Sequence, residues 1–313
     1  MSLAFVFPGQ GSQSLAMLSE LAVQFPQVQA TFAQASDALG YDLWDLVSNG
    51  PVEELNQTDK TQPAMLAAGI AVWRCWQQTT DIKPDFFAGH SLGEYTALVA
   101  AGSLDFADAI KLVSQRGQFM QQAVPAGEGA MAAILGLDDD AVRTLCAEAA
   151  ALGVVEAVNF NSPGQVVIAG SVDAVNKAIE LAKEQGAKRA LLLPVSVPSH
   201  CALMKPAADK LTTAMAELSV QAPQTPVIHN VSVTSSNDSA EIKSLLAQQL
   251  HSPVRWVETV QYLAEQGVDR IVECGPGKVL AGLTKRINKS VVAYPVLDSA
   301  TLDKAVQALG ETA

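Results

Sequence analysis

The sequence is poor in the residues that metal centres and disulfide frameworks use most. Only four cysteines and four histidines occur in 313 residues. The cysteines (Cys75, Cys146, Cys201 and Cys274) lie far apart and form no C-x-x-C pair, which argues against a zinc knuckle. No two histidines have the H-E-x-x-H spacing of zinc proteases. A metal enzyme is therefore not expected.

Long uncharged apolar runs and an excess of basic residues are also missing. Although 49% of the residues are hydrophobic, no uncharged run reaches the length of about 18 residues that a membrane span needs. The opening MSLAFVFPGQGSQ lacks the basic and long apolar regions of a signal peptide. With a net charge of −12, the chain has no excess of basic residues that could bind the phosphates of a nucleic acid. We expect a cytoplasmic protein with reduced thiols, no membrane span and no nucleic-acid partner.

What the chain does contain is an alternation of short apolar strands and helical patterns. We predict strands at 3–7 and 85–89, and helices at 91–102 and 105–124, where apolar residues recur every three or four positions. The segment 268–286 indicates another strand, a Gly-rich turn and a helix. This order is typical of an α/β protein with a parallel sheet.

Between these parts the pattern changes. The strand GAMAAILGL is followed by a helix, a hairpin around SPG, a second helix and the strand AKRALLLPVSV. The order β-α-β-β-α-β predicts a ferredoxin-like unit. We therefore predict a core at 1–126 and 198–313 with an inserted ferredoxin-like subdomain at 127–197.

Ser91 stands between Gly89 and Gly93 at a predicted strand-to-helix junction, in the pattern G-x-S-x-G. Small neighbours allow the sharp turn of a nucleophile elbow, which presents the serine at a helix N-terminus. Free N–H groups there favour developing negative charge. The pattern alone is weak, because a Gly-rich turn can carry an incidental serine, but the strand and helix around it favour the elbow.

A nucleophilic serine needs a base and an oxyanion hole. His200, between a predicted strand and helix in PVSVPSHCALM, is the leading base, with helix capping or packing as the alternative. The loop FPGQGSQ follows the first strand but has Ser14 where a dinucleotide loop has its third glycine. It fits an oxyanion-hole loop better, with the Gln10 N–H as donor.

Arg116 lies beside Gly117 on the border of an apolar helix face. A guanidinium there needs an anion, since an unpaired buried charge is costly. One interpretation is a fork that grips a substrate carboxylate with two hydrogen bonds. The alternatives are a side chain that reaches water or one that pairs with a structural carboxylate.

Together these motifs resemble the malonyl-CoA:acyl carrier protein transacylases of bacterial fatty acid synthesis, and they are similar to the acyltransferase domains of polyketide synthases. The resemblance covers nearly the whole chain, through FPGQGSQ, GHSLGEY, QRG, NFNSPGQVVIAG, VSVPSHCALM and VECGPGKVLAGL. It implies an α/β-hydrolase-like core with a ferredoxin-like insert, in agreement with the predicted order of strands and helices.

The resemblance also implies the roles of single residues. Ser91 would be the acylated nucleophile, His200 the base and Arg116 the ligand of the malonyl carboxylate. A main-chain carbonyl usually orients the histidine in this family, and Gln249 occupies the matching place in LLAQQLHSPVRW. The backbone N–H groups of Gln10 and Leu92 would complete an oxyanion hole.

The implied reaction moves a malonyl group from malonyl-CoA to the phosphopantetheine thiol of acyl carrier protein, through malonyl-Ser91. No permanently bound cofactor is expected, because the pantetheine arm arrives with the substrates. The residues 197–199 before the histidine read Val-Pro-Ser, which fits neither usual polyketide signature. The Pro-Ser-His form matches the fatty-acid type and favours malonyl.

An acidic carrier protein needs a basic docking face on an enzyme of net charge −12. The segment 278–289 contains Lys278, Lys285, Arg286 and Lys289 and no acid. A second candidate is the pair Lys188 and Arg189, which could instead bind CoA phosphates. For both, an ordinary solvated face is the alternative.

Two further residues flank the turn of the insert and are candidates to line the pantetheine channel: Asn161 and Gln165.

Two other functions stay open at this level. A serine hydrolase would use the same Ser91 and His200, usually with an Asp or Glu between them in chain order, and Asp105, Asp108 and 138–140 are available. A non-catalytic subunit that docks carrier protein would have an inert serine. Arg116 and the large insert favour transfer.

Overall fold

The computed structural model describes residues 2–195 and 197–310. Its strands are β1 (Ser2–Phe7), β2 (Phe86–Gly89), β3 (Gly129–Leu135), β4 (Val155–Ser162), β5 (Gln165–Ser171), β6 (Arg189–Leu192), β7 (Val227–Ile228), β8 (Val268–Cys274) and β9 (Val292–Val296). Its helices are α1 (Ser19–Gln24), α2 (Pro26–Leu39), α3 (Leu43–Asn49), α4 (Val52–Leu55), α5 (Thr58–Thr79), α6 (Gly93–Ala100), α7 (Phe106–Ala123), α8 (Asp139–Ala149), α9 (Val172–Glu184), α10 (Lys205–Ala214), α11 (Ser239–Gln249), α12 (Trp256–Glu265), α13 (Val279–Ile287) and α14 (Ser299–Gly310).

A five-stranded sheet in the order β7-β2-β1-β8-β9 forms the core, and every neighbouring pair is parallel. The predicted parallel α/β core is confirmed. Strand β1 is central and is covered on both faces, so its apolar run does not alternate with polar residues. On one face the Phe5 ring packs edge-on against Trp73 and Trp76 of α5, with centroids 5.1 and 5.0 Å away.

A separate four-stranded antiparallel sheet has the order β4-β5-β3-β6. Helices α8 and α9 cover one face, with Leu145 and Val175 in the shared apolar cluster. The predicted β-α-β-β-α-β order and ferredoxin-like unit are confirmed. The boundaries 127–197 stay a prediction. The last strand is shorter than the predicted AKRALLLPVSV, because β6 ends at Leu192. Pro194 follows and has no N–H to donate to the neighbouring strand. Ser196, in the same predicted strand, lies outside the described residues.

The two sheets meet beside β4. Its register shifts around Val158 and Asn159, and the displaced backbone forms a bridge to the core at Val254. The N–H of Val254 donates to the carbonyl of Val158 at 2.8 Å, and the N–H of Phe160 donates to the carbonyl of Val254 at 3.1 Å. This bridge holds the insert over the carboxyl ends of β1 and β2, where α/β proteins bind their ligands.

Within the described ranges, none of the helices combines the length and apolar character needed to span a membrane.

Candidate active site

Ser91 lies in a sharp turn between β2 and α6, with a positive φ of 52°. Few residues other than glycine adopt this left-handed conformation, and it is held here by close packing. A Cβ at Gly89 would lie 1.9 Å from the carbonyl carbon of Gly93, and one at Gly93 would lie 2.0 Å from the Phe7 oxygen. Gly89 is therefore required for the tight turn itself, and Gly93 for the close approach of α6 to β1.

The Ser91 side chain points at a histidine from another part of the chain. Ser91 Oγ is 2.7 Å from His200 Nε2, and His200 Nδ1 is 2.7 Å from the carbonyl oxygen of Gln249. Because a carbonyl only accepts, Nδ1 carries the proton and donates. Nε2 is then free to accept the hydroxyl proton of Ser91, which is the arrangement of a general base.

The His200 ring is buried, with 3% of its surface exposed. Burial, and then the positive charge of Arg116, lower the pKa of His200 to about 3. The imidazole is therefore neutral at neutral pH, in the form that can take a proton.

Arg116 lies beside the nucleophile and is 1% exposed. Its Nη1 donates to Gln62 Oε1 at 2.8 Å, and its Nη2 donates to Gln249 Oε1 at 3.0 Å and reaches Ser91 Oγ at 3.4 Å. Burial lowers its pKa, but a guanidinium stays protonated in proteins. It forms no ion pair within the part of the chain that the structure describes. A buried cation with only neutral partners offers a site for an anionic substrate group.

A cleft between the two sheets opens onto these groups. Gln10 and Leu92 line it from the core, and Met131, Asn159 and Leu193 line it from the insert. The N–H groups of Gln10 and Leu92 donate no hydrogen bond among the residues described. Both are therefore available to an oxygen of a bound ligand, as an oxyanion hole requires.

The other three predicted residues are not among those that line this cleft, although Asn161 contacts His90, which does. Asn161 Oδ1 is 2.8 Å from His90 Nε2, and Gln165 Oε1 accepts from Arg286 Nη1 at 2.7 Å. Arg189 is exposed on the edge strand β6. Their roles with pantetheine or CoA stay predictions.

Two of the acids considered for a hydrolase triad cap helices instead. Asp105 and Asp138 cap helices α7 and α8, and their side chains accept the backbone N–H groups of Asp108 and Ala141 at 3.1 and 2.8 Å. The Nδ1 of His200 is held by a carbonyl instead. The geometry therefore does not favour the Asp- or Glu-dependent hydrolase.

Sequence reasoning missed several buried polar residues that support the site. Asn230 Oδ1 accepts the Ser91 N–H at 2.7 Å, Gln62 binds Arg116, and Glu94 pairs with His229 at 2.7 Å. A signal for Glu94 was present, because it is the one charged residue in the predicted helix at 91–102. Asn230 and Gln62 carried no comparable signal.

The described ranges hold no group of three or more His, Cys, Asp or Glu side chains that could bind a metal ion.

Comparison with known proteins shows the family to which the chain belongs. The acyl transferase domain family matches residues 4–305. A malonyl CoA-acyl carrier protein transacylase of Salmonella typhimurium is 57% identical over 97% of this chain and 98% of its own. The crystal structure of an acyl carrier protein S-malonyltransferase from Vibrio cholerae is 61% identical, with a TM-score of 0.95 over 97% of this chain and 100% of that one.

A malonyl-transacylase solved in complex with its type II polyketide synthase acyl carrier protein is 55% identical, with a TM-score of 0.97 over 98% of this chain and 100% of that one. Family match, sequence identity and fold agree over nearly the full length of the chain. The protein therefore belongs to the acyl transferase domain family.

Proposed function

We propose that this chain is a malonyl-CoA:acyl carrier protein S-malonyltransferase that supplies malonyl groups for fatty acid synthesis. The observation that carries the proposal is a buried Arg116, without an ion-pair partner among the described residues, next to a serine whose hydroxyl contacts a neutral histidine. Relatives named malonyl CoA-acyl carrier protein transacylase support the substrate. The neighbour solved with its acyl carrier protein supports the partner.

In the first half-reaction, His200 Nε2 takes the proton of Ser91 as Oγ attacks the thioester carbonyl carbon of malonyl-CoA. The N–H groups of Gln10 and Leu92 stabilise the tetrahedral oxyanion. The C–S bond then breaks, and His200 returns the proton to the CoA sulfur. Malonyl-Ser91 and free CoA are the products.

In the second half-reaction, the pantetheine thiol of the carrier protein gives its proton to His200. Its sulfur attacks the malonyl-serine ester, and the same two N–H groups stabilise the oxyanion. Ser91 Oγ leaves and recovers the proton from His200. One thioester replaces another, and CoA and pantetheine both arrive as parts of substrates, so the mechanism uses no resident cofactor.

Arg116 selects the acyl group in this proposal. Its Nη2 lies 3.4 Å from Ser91 Oγ, so a carboxylate one methylene beyond the reacting carbonyl falls within reach of the guanidinium. A bidentate pair in a buried site discriminates strongly, because a neutral acyl group leaves the charge without a partner. Malonyl is therefore favoured over acetyl.

We propose that the carrier protein docks on the basic segment 278–289. Lys278, Lys285 and Arg286 are exposed. The hydrogen bond from Arg286 to Gln165 places α13 next to the insert. A basic surface at the junction of core and insert matches an acidic carrier whose pantetheine arm must enter the cleft between them.

The predicted cytoplasmic location belongs to the same proposal. All four cysteines are unpaired and buried. This fits a protein that works in a reducing compartment.

The test is the rate at which holo carrier protein becomes malonyl carrier protein, followed with Ser91→Ala and with the control Ser103→Ala. Ser103 is buried, and its hydroxyl donates to the Gln221 carbonyl outside the cleft. Ser91→Ala should reduce transfer to the uncatalysed background, and Ser103→Ala should retain it. Equal transfer by wild type and Ser91→Ala would contradict the proposal.

A further inference from the structure

A buried carboxylate lies directly behind the nucleophile. Glu94 is 0% exposed, and its Oε2 accepts the backbone N–H of Asn230 at 3.0 Å and the side-chain Nε2 of Gln249 at 2.8 Å. Its Oε1 is 2.7 Å from His229 Nδ1, which must donate because a carboxylate only accepts. Four buried polar groups are thus joined in one network, none of which touches the cleft.

One partner of Glu94 holds the backbone of the elbow. Asn230 Oδ1 accepts the Ser91 N–H at 2.7 Å, and its Nδ2 donates to the Gly89 carbonyl at 2.6 Å. These bonds tie the strained residue and the end of β2 together. The Asn230 backbone is in turn fixed by Glu94.

The other partner, Gln249, contacts the nucleophile's backbone, the histidine base and the arginine. Its carbonyl accepts from His200 Nδ1 at 2.7 Å, its Nε2 donates to the Ser91 carbonyl at 2.9 Å, and its Oε1 accepts from Arg116 Nη2 at 3.0 Å. The Gln249 side chain can direct Oε1 to the Arg116 guanidinium only while its Nε2 faces hydrogen-bond acceptors. Glu94 supplies one of the two acceptors and so selects this orientation of the amide.

We propose that Glu94 is a positioning residue for the transfer: with His229 it fixes Gln249 and Asn230, and through them it aims both the histidine base and the carboxylate-binding arginine. The inference rests on the proposed function. A carboxylate that merely stabilised the fold would change how much enzyme is active. A positioning carboxylate changes which acyl group the active enzyme prefers.

The test is a competition in which malonyl-CoA and acetyl-CoA react together with the enzyme. Intact mass at early times gives the ratio of malonyl to acetyl adduct on Ser91. This ratio does not depend on the fraction of enzyme that is folded. In Glu94→Ala the Gln249 side-chain amide can rotate, and its hydrogen bond to Arg116 is lost. The ratio of malonyl to acetyl adduct should then fall about tenfold, as expected for the loss of one charge-assisted hydrogen bond.

Glu94→Gln should restore the ratio to within about threefold of wild type, since its reach is the same. The amide oxygen can accept from Asn230 and Gln249, and its NH2 can donate to His229 Nδ1. This requires the His229 proton to move to Nε2, which has no hydrogen-bond partner among the described residues and therefore loses none. Where Glu94→Ala does not fold, Glu94→Asp serves instead, because it is one methylene too short to hold both partners.

The matched control is Glu273→Ala. Glu273 is also a fully buried carboxylate, and it accepts the N–H groups of Leu280 and Ala281 at 3.0 and 2.7 Å away from the cleft. Its loss should lower the melting temperature and leave the adduct ratio unchanged. In an Arg116→Ala background, Glu94→Ala should also leave the ratio unchanged, because the group through which it acts is gone.

A ratio within threefold of wild type in Glu94→Ala, or an equally large fall in Glu94→Gln, would overturn the inference. So would a fall in the Arg116→Ala background. If wild type itself forms no adduct, the proposed function fails and not this inference alone.

Discussion

At the scale of single residues, the site is a set of buried polar atoms whose states are fixed by their neighbours. The Gln249 carbonyl sets the tautomer of His200, and burial together with Arg116 keeps its ring neutral. Arg116 is itself hydrogen-bonded to the side-chain amides of Gln62 and Gln249 and to the Ser91 hydroxyl. The result is a neutral base next to a cation that forms no direct ion pair among the described residues, which suits a substrate that brings its own carboxylate.

We predict that Arg116→Ala lowers kcat/KM for malonyl-CoA about 100-fold, or ~3 kcal/mol, because a bidentate buried pair is lost. The value for acetyl-CoA should change little or rise. The kcat/KM of Arg116→Lys for malonyl-CoA should lie between those of wild type and Arg116→Ala, since an ammonium keeps the charge but cannot form two parallel hydrogen bonds. The check is steady-state kinetics with both thioesters, and an unchanged preference for malonyl would remove Arg116 as the carboxylate ligand.

The pH dependence of acylation tests the state of His200. Its pKa is lowered to about 3 from an ordinary value near 6.5, and the catalytic form is the deprotonated one, which exists above that pKa. The kcat/KM for malonyl-CoA should therefore stay flat between about pH 5 and 8. An acid limb centred near 6.5 would show that the free enzyme does not hold His200 in this environment.

At the scale of elements, the elbow depends on close contact between β1, β2 and α6. We predict that Gly93→Ala destabilises the protein by about 3 kcal/mol or more, because its Cβ would lie 2.0 Å from the Phe7 backbone oxygen. Urea unfolding gives the free energy. The control is Gly282→Ala in α13, where a Cβ meets nothing within 4 Å and the change should be neutral or stabilising by up to about 1 kcal/mol.

Gly93→Ala that unfolds at the same urea concentration as wild type would show that α6 can move away from β1. The elbow would then not require this glycine.

Local patterns predicted most of the elements but not all of their ends. Apolar spacing predicted α7, and the β-α-β-β-α-β order predicted the second sheet, because both signals lie within short stretches of chain. The early end of β6 before Pro194 depends on the missing backbone N–H of that proline. The apolar run continues on both sides of Pro194, so hydrophobicity alone predicted a longer strand.

The residues behind Ser91 are a different case. Glu94 and His229 are 135 positions apart, and Ser91 and Asn230 are 139 apart. No short-range pattern connects positions so distant, and only the folded chain brings them together. Motif resemblance supplied Gln249 for its carbonyl, but not the role of its side chain between Arg116 and Glu94.

At the scale of the whole molecule, a chain of net charge −12 must bind an acidic partner through a local basic surface. We predict that Lys285→Glu raises KM for holo carrier protein about three- to tenfold and leaves KM for malonyl-CoA unchanged. The effect should shrink at high salt. The control is Lys83→Glu. Lys83 is exposed just before β2, near the amino-terminal ends of the parallel strands, whereas the cleft lies at their carboxyl ends.

Equal changes in both KM values, or an equal effect of Lys83→Glu, would place carrier docking elsewhere on the surface. The second sheet would then still cover the cleft, but α13 would have no part in recognition.

The central claim is that Ser91 carries the malonyl group between two thiols. The most direct test is the intact mass of the protein after brief exposure to malonyl-CoA, after removal of the excess, and again after addition of holo carrier protein. We predict an adduct of one malonyl group that persists in buffer, is absent in Ser91→Ala, and moves to the carrier protein. An adduct lost to water at the same rate with and without carrier protein would contradict transfer, and so would no adduct on folded protein.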